Sequence, residues 1–452
     1  VCRRDDTPVV ALADDLSGAA EVAALLRLPS RLLLNPADLV EPPAVGECTV
    51  VDLDSRYLDD AAAADAVRAA LAGSGARVGG HGDGAPPTGS VSPHPGARHD
   101  DGRAFRAVNS PALSGRTVWF KKCDSLLRGP VGAEAAAFAE GAGLLVVAPA
   151  LPAARRVVRG GEVLADGVPL RECAAWRAEE RTAPRSVAEA LAPLPTEDVP
   201  LGAVRRGPIA LAGRFREAAA RGRHPVCDAE SDADLAVIAA AAALLGPDAR
   251  LLGSGGLAAA VGRRFGAPGT RTAAGGAGLR PLLVVAGSAE PGVVEQVTRL
   301  VAAGARHVPL APEALAGPDT VALPALAPGT VTVVSVDGSG GVRPGAARRI
   351  VAGLARAVSA LPERADLVLT GGETARRVLD AAGVTTLWPV GQIHHGAVHS
   401  RTPDGRSVVT RPGSFGGPDS FLHIAAALRP RLLSSSLPPA PATAPSQQGV
   451  TQ

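Results

Sequence analysis

Val9-Val-Ala-Leu-Ala13-Asp14-Asp15-Leu-Ser17-Gly18-Ala19 is an apolar run that stops at two carboxylates and continues through Ser-Gly into small, helix-compatible residues. The run Val9–Ala13 predicts a strand buried on both faces, and the residues from about Ser17 to Leu28 predict a helix. Strand, turn and helix together are the repeating unit of an open α/β sheet. Ligands of such sheets bind beyond the carboxyl ends of the strands, where Asp14 and Asp15 fall. A carboxylate pair there suits sugar hydroxyls as hydrogen-bond donors, and one member suits a general base. Asp15 or Ser17 also suits a helix N-cap. A cap accounts for one polar residue, not for Asp-Asp-x-Ser-Gly together.

The same unit recurs along the chain. Strands are predicted at Thr49–Leu53, Thr117–Lys122, Leu144–Ala148, Ile209–Leu211, Leu251–Leu252, Leu282–Ala286, Val331–Val334 and Leu367–Thr370. Helices are predicted at Leu58–Leu71, from Val131, and at Leu257–Phe265, Val293–Ala303, Ala346–Leu361 and Thr374–Ala382. The expected fold is α/β in two domains, each a mostly parallel sheet flanked by helices. The boundaries read as residues 7–270 and 279–429, with Gly266–Gly278 as linker. Residues 73–116, rich in Gly, Pro, Ser and His, read as a flexible insertion, and 430–452 as a disordered tail.

A net charge of +2 and 2% aromatic content over 452 residues give no signal for nucleic acid. No apolar run reaches the roughly 18 residues of a membrane span, and the first residues lack the apolar core of a signal peptide. Five scattered cysteines without a CxxC fit free thiols in a reducing cytoplasm. A homodimer is compatible with this composition.

The 46 lysines plus arginines include only two lysines, and these are adjacent, in Trp119-Phe-Lys121-Lys122-Cys-Asp124-Ser125-Leu-Leu-Arg128-Gly129. Lysine is a compact charge on a flexible stem, whereas arginine is a planar fork, so a tight anionic pocket favours the former. Strand alternation sends the two ammonium groups to opposite faces. Either the strand ends between them or only one serves the site, and Lys122 lies nearer the loop. Asp124, Ser125 and Arg128 supply carboxylate, hydroxyl and guanidinium beside them. Cys123 reads as a small apolar filler.

Three further strand-to-helix junctions are glycine-rich: Gly287-Ser288, Thr370-Gly371-Gly372-Glu373-Thr374, and Pro412-Gly413-Ser414-Phe415-Gly416-Gly417. Backbone N–H groups at such junctions bind phosphate, although no Walker A spacing is present. Leu252-Gly-Ser254-Gly255-Gly256 lacks the dinucleotide spacing, and His394-His395-x-x-x-His399 reads as loop rather than a zinc helix, so no protein-held metal is expected.

In this order the motifs resemble the four-carbon acid sugar kinase family. Ala13-Asp-Asp-Leu-Ser-Gly-Ala19 is similar to its A-D-D-L/F-T-G-A, and Phe120–Gly129 to its F-K-K-x-D-S-T-x-R-G. Pro149–Ala154 with Arg159–Gly161, and Cys227–Asp234, resemble two more family segments, and the glycine junctions resemble its nucleotide-side loops. The resemblance implies a sugar-binding amino-terminal domain, a nucleotide-binding carboxyl-terminal domain and a site in the cleft between them. It implies ATP with Mg2+ as cofactor and a small acid sugar as the other substrate. Asp15, Lys122 and Arg128 would be catalytic. Asp14, Ser17, Lys121, Asp124 and Ser125 would bind the acid. Ser288, Gly371, Gly372, Glu373, Thr374, Gly413, Ser414 and Gly416 would bind the nucleotide. Leu126 and Pro130 stand where the family has Thr and Asn, and Arg155-Arg156-Val157 replaces its G-R-T. These departures cluster on the substrate half and leave the particular acid open. The alternatives are a sugar-acid-binding protein without turnover and a kinase for another small hydroxy acid.

Overall fold

The computed structural model describes residues 7–41, 43–73, 117–173, 176, 179, 181–266, 280–287, 291–338, 346–413 and 415–429. The expected insertion, linker and tail therefore lie almost wholly outside the described residues, as do Ser288 and Ser414.

The amino-terminal half contains strands β1 (Val9–Ala13), β2 (Ser30–Leu33), β3 (Cys48–Asp52), β4 (Val118–Lys122), β5 (Leu144–Ala148), β6 (Arg156–Arg159), β7 (Glu162–Ala165), β8 (Val168–Pro169), β9 (Thr196–Val199), β10 (His224–Cys227) and β11 (Ala249–Gly253). Its helices are α1 (Leu16–Leu25), α2 (Asp60–Gly73), α3 (Val131–Ala139), α4 (Val187–Ala190), α5 (Leu201–Val204), α6 (Pro208–Ala220), α7 (Asp232–Ala243) and α8 (Gly255–Gly262). The carboxyl-terminal half contains β12 (Leu282–Ala286), β13 (Arg306–Leu310), β14 (Val331–Val336), β15 (Asp366–Thr370), β16 (Thr386–His394), β17 (Ala397–Arg401) and β18 (Ser407–Arg411). Its helices are α9 (Pro291–Ala302), α10 (Pro312–Ala316), α11 (Ala347–Ser359), α12 (Gly372–Ala381) and α13 (Ser420–Leu428).

The first half forms a parallel sheet in the order β2-β3-β1-β4-β11-β5-β10-β9, and the second forms β13-β14-β12-β15-β18 in parallel. Each half thus opens the same way: its first strand lies between its third and its fourth. The chain switches direction beside β1 and again beside β12, and crevices open at such switch points. β1 and β12 are buried along their whole length, as their continuous apolar runs demand.

β16, β17 and β18 form an antiparallel meander, and β16 pairs antiparallel with β2 through Thr386 with Leu33 and Leu387 with Leu32. Sequence reading missed this join. It makes one fifteen-stranded sheet of the described residues, and one apolar core runs from Val10 and Leu32 through Leu387 to Leu369 and Val285. Helix α1 packs on α8 at one side and on α12 and β16 at the other, so the first motif is a shared wall between the halves.

Two readings are corrected. Ile209–Leu211 lies within α6 rather than in a strand. Pro208 stands at its first turn, and Leu211, Ala212, Phe215 and Ala218 line its buried face at helical spacing. A three-residue apolar run cannot distinguish the two states by itself. His394 and His399 belong to the β16–β17 hairpin, where Gly396 supplies the left-handed turn at φ +80°. Among the described residues no helix is long and apolar enough to cross a membrane. A small antiparallel sheet, β6-β7-β8, is tied to the loop after β10 through the bridge of Val158 with Ala229 and carries residues that matter below.

Candidate active site

Register fixes which side chains meet. Ala13 pairs with Asp52 on one side and Lys122 on the other, and Lys122 pairs with Gly253. The carboxyl ends of β1, β3, β4 and β11 therefore form one edge, and Asp14 follows directly on it. Asp14 is 2% exposed. Arg56, in the loop after β3, reaches its Oδ2 with Nε at 2.9 Å and Nη2 at 2.6 Å, and reaches Asp15 Oδ2 with Nη1 at 2.9 Å. The backbone N–H groups of Ser55 and Arg56 donate to the Asp14 carbonyl. Burial raises the Asp14 carboxyl, but Arg56, Lys122 and Lys121 together hold it below the ordinary carboxylate value.

Asp15 caps α1, accepting from Gly18 N–H at 2.7 Å. The cap role read from the sequence is thus present: Oδ1 caps the helix while Oδ2 faces Arg56. Three buried atoms in this corner, Asp14 Oδ1, Ser17 Oγ and Glu21 Oε1, have no hydrogen-bond partner. Buried polar atoms are almost always paired, so this corner stands out as unsatisfied among the described residues.

β4 continues through both lysines, and alternation separates them. Lys121 points to α3, where its ammonium meets Glu134 Oε2 at 3.1 Å and donates to the Lys122 carbonyl at 2.9 Å. Glu134 in turn accepts from Ser55 Oγ. Both ionic groups are essentially unexposed, so Lys121 forms a buried ion pair on the α3 side of the sheet. Breaking such a pair costs about 3–5 kcal/mol. Lys122 points to α1, donating to the Cys123 carbonyl at 2.8 Å. Burial draws its ammonium down, yet Asp14, Glu21 and Asp15 outweigh this and keep its proton above the ordinary value. Burial pushes the Cys123 thiol up to about 12, in keeping with a filler.

Beyond β4, Arg128 forks onto Asp124 with Nε to Oδ2 at 2.6 Å and Nη2 to Oδ1 at 3.1 Å. Leu127 takes the left-handed conformation at φ +58° to turn the chain back. Ser125 Oγ accepts from Arg156 Nη1 at 2.6 Å. Trp176 donates its indole N–H to the Leu126 carbonyl at 3.0 Å, bracing the loop.

The carboxyl-terminal half brings its glycine junctions to the same place. Gly371, at φ +91°, leads into α12, and Gly372 stands so close to the first motif that a Cβ there would lie 2.6 Å from Asp15 Oδ2 and 3.2 Å from Ser17 Oγ. A Cβ on Gly287 would meet Thr374 Oγ1 at 2.2 Å. Glu373 is half-buried, and desolvation raises its carboxyl against the pull of Arg377 and Arg348. Arg411 is fully buried beneath the loop before α13. It donates to the Phe415 carbonyl, Ser420 Oγ and Gln296, and lies over the Phe421 ring. Gln296 holds the Gly416 and Gly417 carbonyls, whereas Gly413 has open space around it.

Two arginines of α12 latch the halves. Arg376 reaches Asp52 Oδ2 at 2.9 Å and Arg377 reaches Asp54 Oδ2 at 2.8 Å. Arg56, Glu21, Arg376 and Arg411 were not read as site residues from the sequence, nor was Arg156, noted there only as part of Arg155-Arg156-Val157. One signal pointed to the first: Asp52-Leu-Asp-Ser-Arg56 is another polar cluster directly after an apolar strand.

Fold, site and relatives together define a phosphotransferase acting on a hydroxyl group, whose two halves meet at α1 and α12. A family model for a sugar-binding N-terminal domain matches residues 97–261, and one for a nucleotide-binding C-terminal domain matches 283–421. The chain is 34% identical over 337 residues to a D-threonate kinase of Cupriavidus necator, covering 67% of this chain and 78% of that protein. It is 33% identical over 341 residues to a D-threonate kinase of Bordetella bronchiseptica, covering 69% and 78%. A crystal structure of a candidate tRNA synthase from Salmonella typhimurium LT2 shares the fold at TM-score 0.68 and 16% identity, over 92% of this chain and 98% of that one. The chain belongs to the four-carbon acid sugar kinase family.

The latch carries a pH signature. Burial pushes the Asp52 carboxyl from 3.8 up to about 7, with Arg376 pulling it down and Asp54 pushing it up. A carboxyl that holds its proton more tightly when folded stabilises the fold below its unfolded value, and this contribution is lost as pH rises through the folded value. From about pH 5 to about pH 8 the urea midpoint of the wild type should therefore fall more than that of Asp52→Asn. Parallel curves would contradict this assignment.

Proposed function

We propose that this chain transfers the γ-phosphoryl group of ATP to a hydroxyl of a four-carbon sugar acid, D-threonate or a close relative. The observation that carries the reading is the contact between Gly372 at the amino end of α12 and the Asp15 carboxylate at the amino end of α1. An acid-sugar site and a phosphate-binding helix end are thereby adjacent, as transfer in one step requires.

The nucleotide side fits ATP. Gly287, Gly371 and Gly372 leave a cradle that a Cβ at 287 or 372 would fill, and the free N–H groups of α12 face it. A recess of about 270 Å3 between α9 and the β13–β14 edge, lined by Val293, Val297, Val301 and Pro309 with His307 and Ser335, suits the base. Ser288 and Ser414, outside the described residues, are assigned to the phosphate side only because the family resemblance implies it. ATP with Mg2+ supplies the phosphoryl group and screens its charge. Magnesium usually rides on substrate phosphates and water with few protein ligands, so no side chain is assigned to it.

On the acid side, Asp15 is the base. Its side chain is 18% exposed against 3% for Asp14, and it stands nearer the nucleotide half. It takes the proton of the nucleophilic hydroxyl at Oδ2, while Arg56 fixes the carboxylate. Asp14 Oδ1 and Ser17 Oγ receive the neighbouring hydroxyls. Lys122 faces the developing negative charge. Arg128 holds Asp124 in place and adds positive potential. The unpaired Cys48, Cys123, Cys173 and Cys227 suit a cytoplasmic setting.

ATP consumption should appear with D-threonate or another four-carbon acid in a coupled assay. Asp15→Asn should lower kcat by about 100-fold or more, the usual share of a general base. In Lys122→Arg the turnover should fall by roughly tenfold, about 1.4 kcal/mol of barrier. Binding of the acid without any ATP consumption would instead make the chain a sugar-acid-binding protein.

A further inference from the structure

We propose that Arg156, with Ser125, reads the carboxylate of the acid and so sets the preference for acids over neutral polyols. This rests on the sugar-acid kinase reading above. Arg156 opens β6 on the small sheet, and its backbone is pinned by two hydrogen bonds with Leu151, N–H to carbonyl each way, at 2.7 and 3.1 Å. The preceding Arg155 takes the left-handed conformation at φ +54°, which turns the chain so that Arg156 crosses to the loop after β4.

The cations around this cleft differ in one respect. Arg56 is paired with Asp14 and Asp15, Arg128 with Asp124, and Lys121 with Glu134. Lys122 is ringed by Asp14, Glu21 and Asp15. Arg156 has one side-chain partner among the described residues, the Ser125 hydroxyl, and no carboxylate within 4 Å. It is more than half buried, and this uncompensated burial draws its guanidinium below the ordinary value, the reverse of Arg56 and Arg128. Asp124, the nearest acid by influence, already faces the fork of Arg128.

A half-buried guanidinium with spare N–H groups favours an anion with two coplanar oxygens. Ser125 completes the pair. Its oxygen accepts from Arg156 Nη1, so its own proton is left to donate. Two donors then stand side by side, one charged and one neutral, and a carboxylate accepts from both. The hydroxyl of a neutral polyol can accept from either donor but lacks the charge and the paired oxygens, so it forfeits the charge-assisted bidentate bonds.

The probes are D-threonate and its uncharged counterpart threitol, with ATP as co-substrate. In Arg156→Gln the KM for D-threonate should rise by about tenfold or more, while the KM for ATP stays within about twofold. The preference for D-threonate over threitol should shrink by a similar factor. Arg156→Lys, which keeps charge but not the fork, should fall between, and unfolding midpoints of both variants report that the fold is intact. A raised KM for ATP with an unchanged KM for D-threonate would overturn the proposal in favour of a phosphate ligand. An unchanged acid preference would overturn it outright. If the wild type binds D-threonate by calorimetry without turnover, the kinase reading falls alone, and loss of that binding in Arg156→Gln still supports the carboxylate site. Equal binding in both proteins refutes it.

Discussion

Arg56 between Asp14 and Asp15 is the interaction on which the rest depends. Two carboxylates from consecutive residues, buried at the end of a strand, repel each other and pay heavily for lost hydration. One guanidinium facing both, with three N–H groups directed at two oxygens, makes the pair tolerable. The consequences spread outward. Asp14 stays ionised with one oxygen unpaired, Asp15 is held while capping α1, and α1 is thereby fixed between the two halves of the sheet.

The second constraint is repetition. Both halves place their first strand between their third and fourth, so each opens a crevice at the carboxyl end of that strand. The two halves are held together where β16 joins β2 and α12 abuts α1. Absence of side chains at Gly372 and Gly287 permits the approach, and Arg376 and Arg377 hold it with ion pairs to Asp52 and Asp54. The nucleotide side is floored by Arg411, whose buried guanidinium ties the loop before α13 to α9 through Gln296.

Much of the fold was legible because buried parallel strands write themselves as apolar runs. Val9–Ala13, Leu144–Ala148 and Leu282–Ala286 were read to the residue. β2 and β16 were not legible. Their sequences are short or polar-interrupted, and their pairing is a long-range choice that no local pattern records. For the site, motif residues were found where several polar types cluster after a strand. The two lysines show the limit of that logic. The pattern located both, and alternation said that they diverge, but it gave no sign that Glu134 on α3 is the partner of Lys121. Arg56 escaped because arginine is the default cation of this chain and carries no compositional signal, and Arg156 was noted only within the segment that departs from the family pattern.

The claim that transfer takes place where α12 meets Asp15 is tested most directly by steady-state kinetics of Gly372→Ala with D-threonate and ATP. Alanine is the better helix former by about 1 kcal/mol, so nothing in the helix itself opposes the change. Its methyl group would press on Asp15 Oδ2, which Arg56 and the α1 cap prevent from yielding. The account predicts a kcat lowered by about tenfold or more in a variant that still unfolds cooperatively, with its midpoint lowered by the strain of the added methyl group. Wild-type kcat and KM in that variant would contradict it.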